Sequence, residues 1–297
     1  MNPVQPPAPV PRKRRAERYE LQATYRYLRL GIVLLGVLLF TGVILQIVAD
    51  GGAVLPSVSA YYYTPARGIF VGSLSAIGAC MIIYRGRSDT EDGLLNMAGY
   101  LAFFVAFVPT PRRAAIGTEA TATFPVDLTA AVVNNSGAIL IVGLLGFTVQ
   151  VVATARSTVL PWFRNPTLLW SLGAYVGFVI FFFADGPTYV ALGHYVAALG
   201  MFLGMVGVVG VNGIAVARAR RLAGDAPRDQ WASLYTFGFA LMLATVGLGL
   251  GVLRPLSREW LFLVEAALIA QFLAYWITQT VERWRVPELP QDQLMPG

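Results

Sequence analysis

The side chains that could do chemistry in this chain are few, and the most informative of them lie inside long apolar segments. Asn134 and Asn135 fall near the start of one such segment, His194 near the start of another, and Glu265 within a third. Polar and ionisable groups are costly inside a membrane, and those that occur there mark binding sites, relays or paths for ions. These four residues are therefore the first candidates for a binding site.

The four polar groups share one depth if the chain crosses the membrane eight times. Each then lies about 8–11 Å below the outer surface, given a helical rise of 1.5 Å per residue. The outer loops above them carry three tyrosines, an arginine and two aspartates. This coincidence predicts an outward-facing polar pocket, and its candidate ligand-binding residues are Tyr61, Tyr62, Tyr63, Arg67, Asn134, Asn135, Asp185, His194 and Glu265, with Asp127 near its mouth.

The stretch SVSAYYYTPAR, residues 57–67, forms the rim of that pocket. Tyrosines at a membrane surface form an aromatic belt, which is the alternative interpretation of Tyr61, Tyr62 and Tyr63. Three consecutive side chains cannot all face the same way, so at least one is expected to point into the protein. Arg67 falls in the first turn of the next helix, where the helix dipole disfavours a cation. An anion is therefore expected beside it, namely Glu265, Asp127 or a bound ligand.

Structural interpretations compete with the pocket at each position. A single intramembrane histidine such as His194 often serves only as a hydrogen-bonded packing residue. Asn134 and Asn135 could cap or kink the start of their helix. Glu265 is the strongest candidate, because a buried carboxylate requires either a partner such as Arg67 or His194, or a raised pKa.

The elements that must position these groups are membrane helices. The chain of 297 residues is 56% hydrophobic and only 13% charged, with a mean hydropathy of +0.62, whereas soluble domains carry about 25% charged residues. Apolar segments long enough to span a bilayer recur along it. They predict an all-α, polytopic membrane helix bundle with spans near residues 30–48, 67–84, 95–110, 129–153, 167–184, 188–216, 231–253 and 258–282.

The basic residues predict the orientation and the domain limits. Most of the 22 Lys and Arg residues fall on the side of the N-terminus in an eight-span arrangement, and cytoplasmic loops are enriched in these residues. Both termini are therefore expected in the cytoplasm. We expect a disordered, Pro-rich and basic tail over residues 1–28, the helix bundle over 29–284, and a short tail over 285–297. The basic cluster next to the first span predicts contact with anionic lipid rather than nucleic acid.

An inventory of residue types argues against several classes of membrane enzyme. Lys13 is the only lysine and lies in the tail, so a retinal Schiff base is excluded. His194 and Cys80 are the only histidine and cysteine, which leaves too few ligands for an intramembrane zinc hydrolase. A metalloprotease motif, a phosphate-binding loop, a dinucleotide fingerprint and a nucleophile elbow are all absent. We therefore expect no enzymatic activity, no cofactor and no metal.

Two segments carry a resemblance to known sequences. SVSAYYYTPARGIFVGSLSAIGACMIIYRG, residues 57–86, resembles a segment of multi-pass membrane proteins from high-GC Gram-positive bacteria, and VVNNSGAILIVG, residues 132–143, is similar to another segment of those proteins. The resemblance covers about the first half of the chain. It implies a bacterial cell (inner) membrane location and a multi-pass topology, and it carries no assigned activity.

Three hypotheses for function follow from the residues. The leading one is an outward-facing pocket that binds or transports a small or lipidic ligand. The second is a non-catalytic accessory or structural subunit, with a partner membrane protein or a second copy docking on Gly-x-x-x-Gly faces such as Gly173/Gly177 and Gly200/Gly204. Packing within the chain is the alternative role for those glycines. The third is an ion or proton pathway, which ranks last because the predicted spans contain no second carboxylate.

Overall fold

The computed structural model describes residues 12–111, 128–157, 166–222 and 230–285, and these ranges are helical with no strand. Eight long helices run in chain order: α1 Arg12–Ala49, α2 Arg67–Ile83, α3 Asp89–Phe107, α4 Leu128–Ser157, α5 Pro166–Ala184, α6 Gly186–Leu222, α7 Gln230–Leu248 and α8 Trp260–Arg285. A 3₁₀ helix, Val58–Tyr63, lies between α1 and α2. After α7 the chain continues through a π-helical segment, Gly249–Leu253, and a short turn, Arg254–Leu256.

Five helices within the described ranges are long and apolar enough to cross a membrane. They are Ala23–Ala49 in α1, Thr129–Val152 in α4, Gly186–Arg218 in α6, Ser233–Leu256 in and beyond α7, and Trp260–Glu282 in α8. Shorter apolar helices cover Arg67–Ile83 in α2 and Ser171–Ala184 in α5. The chain thus has the helices of an integral membrane protein, and every predicted span coincides with a helix. The number that cross the membrane remains a prediction.

Two predicted boundaries differ from the structure near the first and third spans. The tail expected over residues 1–28 is helical from Arg12 onward, because α1 extends well before its apolar part. Residues 1–11 and 286–297 lie outside the described ranges, as does Asp127. α3 begins at Asp89 rather than near residue 95. Its N-cap, Ser88, accepts a hydrogen bond from the Glu91 backbone N–H at 3.2 Å, so the charged first turn is part of the helix.

Glycine contacts bring α3 against α2 and α6 at the centre of the bundle. A Cβ atom on Gly99 would lie 2.6 Å from the carbonyl oxygen of Gly78, and one on Gly78 would lie 2.7 Å from that of Gly99. On α6, a Cβ atom on Gly204 would lie 2.8 Å from the Cβ of Ala98. The Gly200/Gly204 pair therefore packs within the chain. A Cβ atom on Gly173 or Gly177 would meet no other residue within 4 Å in the part of the chain that the structure describes.

Tyrosine hydroxyls attach α4 to its neighbours. Tyr100 on α3 donates a hydrogen bond to the carbonyl of Ile139 at 3.1 Å, and Tyr175 on α5 donates to that of Leu140 at 2.9 Å. Both carbonyls also belong to the backbone ladder of a regular helix, so the tyrosines provide additional donors. These contacts position the start of α4, where the two predicted asparagines lie.

Candidate functional site

The tyrosine-rich stretch forms a 3₁₀ helix at one end of the bundle, where α2 begins and α3 ends; we call it the Tyr63 end. Ser57 starts this short helix, since its hydroxyl accepts a hydrogen bond from the Ala60 backbone N–H at 3.1 Å. Thr64 ends it by donating its hydroxyl to the carbonyl of Tyr61 at 2.8 Å. The backbone N–H of Phe262 on α8 donates to the carbonyl of Pro56 at 2.9 Å. The stretch is therefore fixed to α8.

The side chain of Glu265 binds backbone N–H groups of this stretch. The residue is 7% exposed, and its Oε2 accepts a hydrogen bond from the Val58 N–H at 2.7 Å. The Ser59 N–H donates to the same carboxyl group. The first N–H groups of a helix have no partner within the helix, and a carboxylate there is favoured by both hydrogen bonding and the helix dipole. Glu265 thus caps the 3₁₀ helix from a position 207 residues away.

Three other predicted residues meet at the end of α3. Asn135 Nδ2 donates to the carbonyl of Phe107 at 2.7 Å, and His194 Nδ1 lies 2.6 Å from the carbonyl oxygen of Val108. Tyr63 donates its hydroxyl to the carbonyl of Thr110. The last carbonyls of a helix lack helical partners, and prolines at 109 and 111 contribute no N–H to this stretch. These side chains therefore bind carbonyl groups at the end of α3, of which those of Val108 and Thr110 belong to buried residues.

Arg67 pairs with a tyrosine instead of a carboxylate. Its Nη2 donates to the hydroxyl of Tyr62 at 2.5 Å, and its guanidinium lies 4.1 Å from the centre of that ring. Among the described residues Arg67 forms no ion pair, so the predicted pairing with Glu265 is wrong. Glu265 is held by backbone N–H groups, and the cation is stabilised by the aromatic face. Burial raises the pKa of Tyr62, although Arg67 opposes the shift.

The remaining predicted residues do not contribute polar atoms to this cluster. The Tyr61 hydroxyl accepts a hydrogen bond from the Leu55 N–H at 3.4 Å, and its ring packs against Phe262. Asp185 caps α6, because its carboxylate accepts hydrogen bonds from the hydroxyl of Thr188 at 2.5 Å and from its N–H at 3.2 Å. These two bonds lower the pKa of Asp185. Asn134 is exposed.

A small cavity lies directly beside Glu265. Its volume is about 20 Å³, and its wall combines Glu265 and Ser59 with apolar side chains from α1, α2, α3, α6 and α8. A cavity needs about 10–15 Å³ to hold one water molecule. The cavity therefore has room for a single species of that size and none for a lipid. Among the described residues that line the cavity, Glu265 is the only charged one, and the surface of the wall is almost wholly apolar.

A second polar cluster, which the sequence analysis missed, lies at the opposite end, where α2 ends and α3 begins; we call it the Tyr84 end. Arg29 on α1 donates to the hydroxyl of Tyr84 at 3.3 Å, and Tyr84 donates to Gln279 Oε1 at 3.0 Å. Gln279 donates to the Tyr275 hydroxyl at 3.0 Å, and Tyr275 donates to Glu91 Oε1 at 3.3 Å. Every bond in this chain points from the cation toward the carboxylate.

The same cluster connects further helices. Asn212 on α6 donates to the Tyr275 hydroxyl at 2.9 Å, and the Arg87 backbone N–H donates to Glu91 Oε2 at 2.6 Å. Nearer the surface, Glu282 on α8 accepts hydrogen bonds from Arg87 and from Tyr235 on α7. Glu91 is only 1% exposed. It is a second buried carboxylate among the described residues, and it lies in the first turn of α3, outside the predicted spans.

One signal in the sequence could have identified Glu91. Ser88 and Glu91 form the S-x-x-E pattern of a capping box, which places the glutamate inside the first turn of α3. Residues 85–94 lie between two predicted spans and were therefore expected to form a loop, which concealed this pattern. Residues 1–28 were expected to form a tail, so Arg29 was predicted at the first position of the bundle and not as a buried residue. The long-range partners of Tyr84 and Tyr275 have no local signal.

Comparisons with known proteins assign neither a family nor a function to the chain. No family model, curated protein or solved structure matches the chain. Among the described residues, no group of three or more His, Cys, Asp or Glu side chains is placed to hold a metal ion.

Proposed function

We propose that the chain is a multi-pass protein of a bacterial cell membrane, with eight spans and both termini in the cytoplasm. The eight long helices and the bias of basic residues support this topology. In this orientation the Tyr63 end faces outward and the Tyr84 end faces the cytoplasm. We further propose that the chain belongs to the group of multi-pass proteins that residues 57–86 and 132–143 resemble.

Cysteine labelling tests this topology. In a Cys80→Ala background, a membrane-impermeant maleimide is expected to label Asp185→Cys in intact cells. Thr90→Cys is expected to react only after lysis, because the start of α3 faces the cytoplasm in this topology. Both positions are exposed at helix boundaries, so each serves as the accessibility control for the other. Labelling of Thr90→Cys in intact cells would contradict the eight-span topology.

We propose that the Tyr63 end binds a small cation or hydrogen-bond donor of about the size of a water molecule, and that the protein is not an enzyme. The observation that carries this proposal is the placement of Glu265 on the wall of the 20 Å³ cavity without an ion-pair partner among the described residues. The Val58 and Ser59 N–H groups bind the Glu265 carboxylate but carry no full positive charge to balance it. A small cation in the cavity would compensate its charge, whereas the volume argues against a lipidic ligand.

Thermal unfolding tests this proposal directly. Replacing choline chloride by ammonium chloride at equal concentration is expected to raise the unfolding midpoint of the purified protein by about 2 °C, since a ligand that binds only the folded state stabilises it. Tetramethylammonium, which is larger than the cavity, should have no effect. Glu265→Gln should abolish the ammonium response. Glu259→Gln is the matched control, because Glu259 lies outside the cavity near the start of the same helix.

The accessory-subunit hypothesis is the second candidate, and one observation favours it. Asn135, His194 and Tyr63 all donate hydrogen bonds to backbone carbonyls, so structural roles account for them. If Glu265→Gln and His194→Ala left the ammonium response unchanged but released a co-purifying chain in native mass spectrometry, this second function would replace the first.

A further inference from the structure

The cavity beside Glu265 has room for one small species and none for a hydration shell. Its volume of about 20 Å³ is little more than the roughly 10–15 Å³ that one water molecule requires. A cation that enters the cavity must therefore leave its water behind. Only the groups on the wall can then replace the lost hydration, so those groups decide which cations bind.

The wall offers few oxygen atoms to such a cation. Among the described residues that line the cavity, only Glu265 and Ser59 carry a side-chain oxygen. Val105 adds one backbone carbonyl at most, because residue 109 is a proline and has no N–H to donate the helical hydrogen bond to it. The other lining residues lie inside helices, where the carbonyls bind the backbone ladder. The described wall therefore provides three oxygen-bearing groups at most.

Bare metal cations need more oxygen ligands than this wall provides. Ca²⁺ takes about six to eight oxygen ligands, and Mg²⁺ requires an octahedral set. K⁺ channels replace the hydration shell of the ion with rings of backbone carbonyls. Because the cavity has no room for additional water, a metal cation would lose its hydration there without an adequate replacement.

An ammonium ion has different requirements, because each of its N–H groups needs a single acceptor. A carboxylate has about four acceptor sites, and the N–H groups of Val58 and Ser59 use two of those on Glu265. The remaining sites and the Ser59 hydroxyl can accept N–H donors. Phe70 and Phe202 border the same cavity, and aromatic rings attract desolvated cations. The composition of the wall therefore suits ammonium.

We propose that the ligand of this cavity is the ammonium ion and not a metal cation, an assignment that rests on the proposed function. Ammonium is held by hydrogen bonds to the Glu265 carboxylate and the Ser59 hydroxyl. K⁺ has nearly the same size and the same charge as ammonium, so size and charge do not separate the two ions. Hydrogen bonding does, because K⁺ has no N–H group to donate.

Thermal unfolding in a series of chloride salts at equal concentration tests this selectivity. Ammonium is expected to raise the unfolding midpoint of the purified protein by about 2 °C over choline, whereas Na⁺ and K⁺ should leave it unchanged. An equal rise with K⁺ would overturn the ammonium assignment and leave the proposed small-cation site intact. If no cation raised the midpoint, the proposed site itself would be contradicted, and the assignment with it. The two failures are therefore distinguishable.

Ser59→Ala tests the second hydrogen bond, because it removes the hydroxyl and keeps the backbone N–H that binds Glu265. This variant is expected to lose about half of the ammonium-induced rise, measured against its own midpoint in choline. Ser73→Ala is the matched control and should keep the full rise, because Ser73 is a buried serine that does not line the cavity. A full rise in Ser59→Ala would overturn the assignment of its hydroxyl as an ammonium ligand.

Discussion

Replacing Gly99 by leucine is expected to lower the free energy of unfolding by about 3 kcal/mol or more, the largest effect of any single change considered. The reason is the crossing of α2 and α3. A Cβ atom at Gly99 would lie 2.6 Å from the carbonyl oxygen of Gly78 and 2.9 Å from a side-chain carbon of Ile82. A backbone atom cannot rotate away as a side chain can, so the two helices must separate. Unfolding in detergent by heat or denaturant measures the loss.

Gly72→Leu is the matched control for that change. Gly72 lies on the exposed side of α2, and a Cβ atom there would meet no other residue within 4 Å. Leucine also has a better helix propensity than glycine, so this control should be neutral or slightly stabilising. Equal stabilities for Gly99→Leu and Gly72→Leu would show that the α2–α3 crossing is not as close as described.

Replacing Glu91 by alanine is expected to cost about 3 kcal/mol of unfolding free energy. The carboxylate accepts a part-buried hydrogen bond from the Arg87 N–H and a buried one from the Tyr275 hydroxyl. Hydrogen bonds to charged groups contribute about 1.5–3 kcal/mol each, and a buried donor left without an acceptor carries a further penalty. The loss should appear in the same unfolding measurement.

Two milder variants show whether Glu91 acts through its oxygens. Glu91→Gln keeps one acceptor and should lose about half as much stability. Ser88→Ala removes only the N-cap of α3 and should cost about 1 kcal/mol. If Glu91→Ala were no more destabilising than Ser88→Ala, the glutamate would only stabilise the helix end, and its hydrogen bond from Tyr275 would add nothing to the free energy of unfolding.

The positions of the helices could be predicted because each apolar run is long. The span predicted over residues 129–153 is observed as α4, Leu128–Ser157, and that over 67–84 as α2, Arg67–Ile83. In a bilayer, backbone hydrogen bonds must be satisfied within the segment, so a long apolar run has few alternatives to a helix. The helix ends were harder to predict, because α3 begins with charged residues that the hydropathy pattern assigns to a loop.

The partners of the polar side chains could not be predicted, because they depend on contacts between distant residues. The position of Asn135, His194 and Glu265 along their predicted spans was enough to put them at the same end of the bundle as Tyr63. It could not show that Glu265 binds the backbone of Val58, or that Arg67 turns to Tyr62 instead. The competing partners were backbone groups of two short segments, the N–H donors of the 3₁₀ helix and the carbonyl acceptors at the end of α3, and those segments carry no periodic pattern.

The most direct test of the Glu265 site is infrared difference spectroscopy of its carboxyl group. Exchanging choline for ammonium is predicted to change a carboxyl band in the purified protein, because the cation would lie beside Glu265 in the cavity. The change should persist in Glu259→Gln and vanish in Glu265→Gln. A spectrum with no ammonium-dependent carboxyl band, or with a band that survives in Glu265→Gln, would contradict a small-ligand site at this residue.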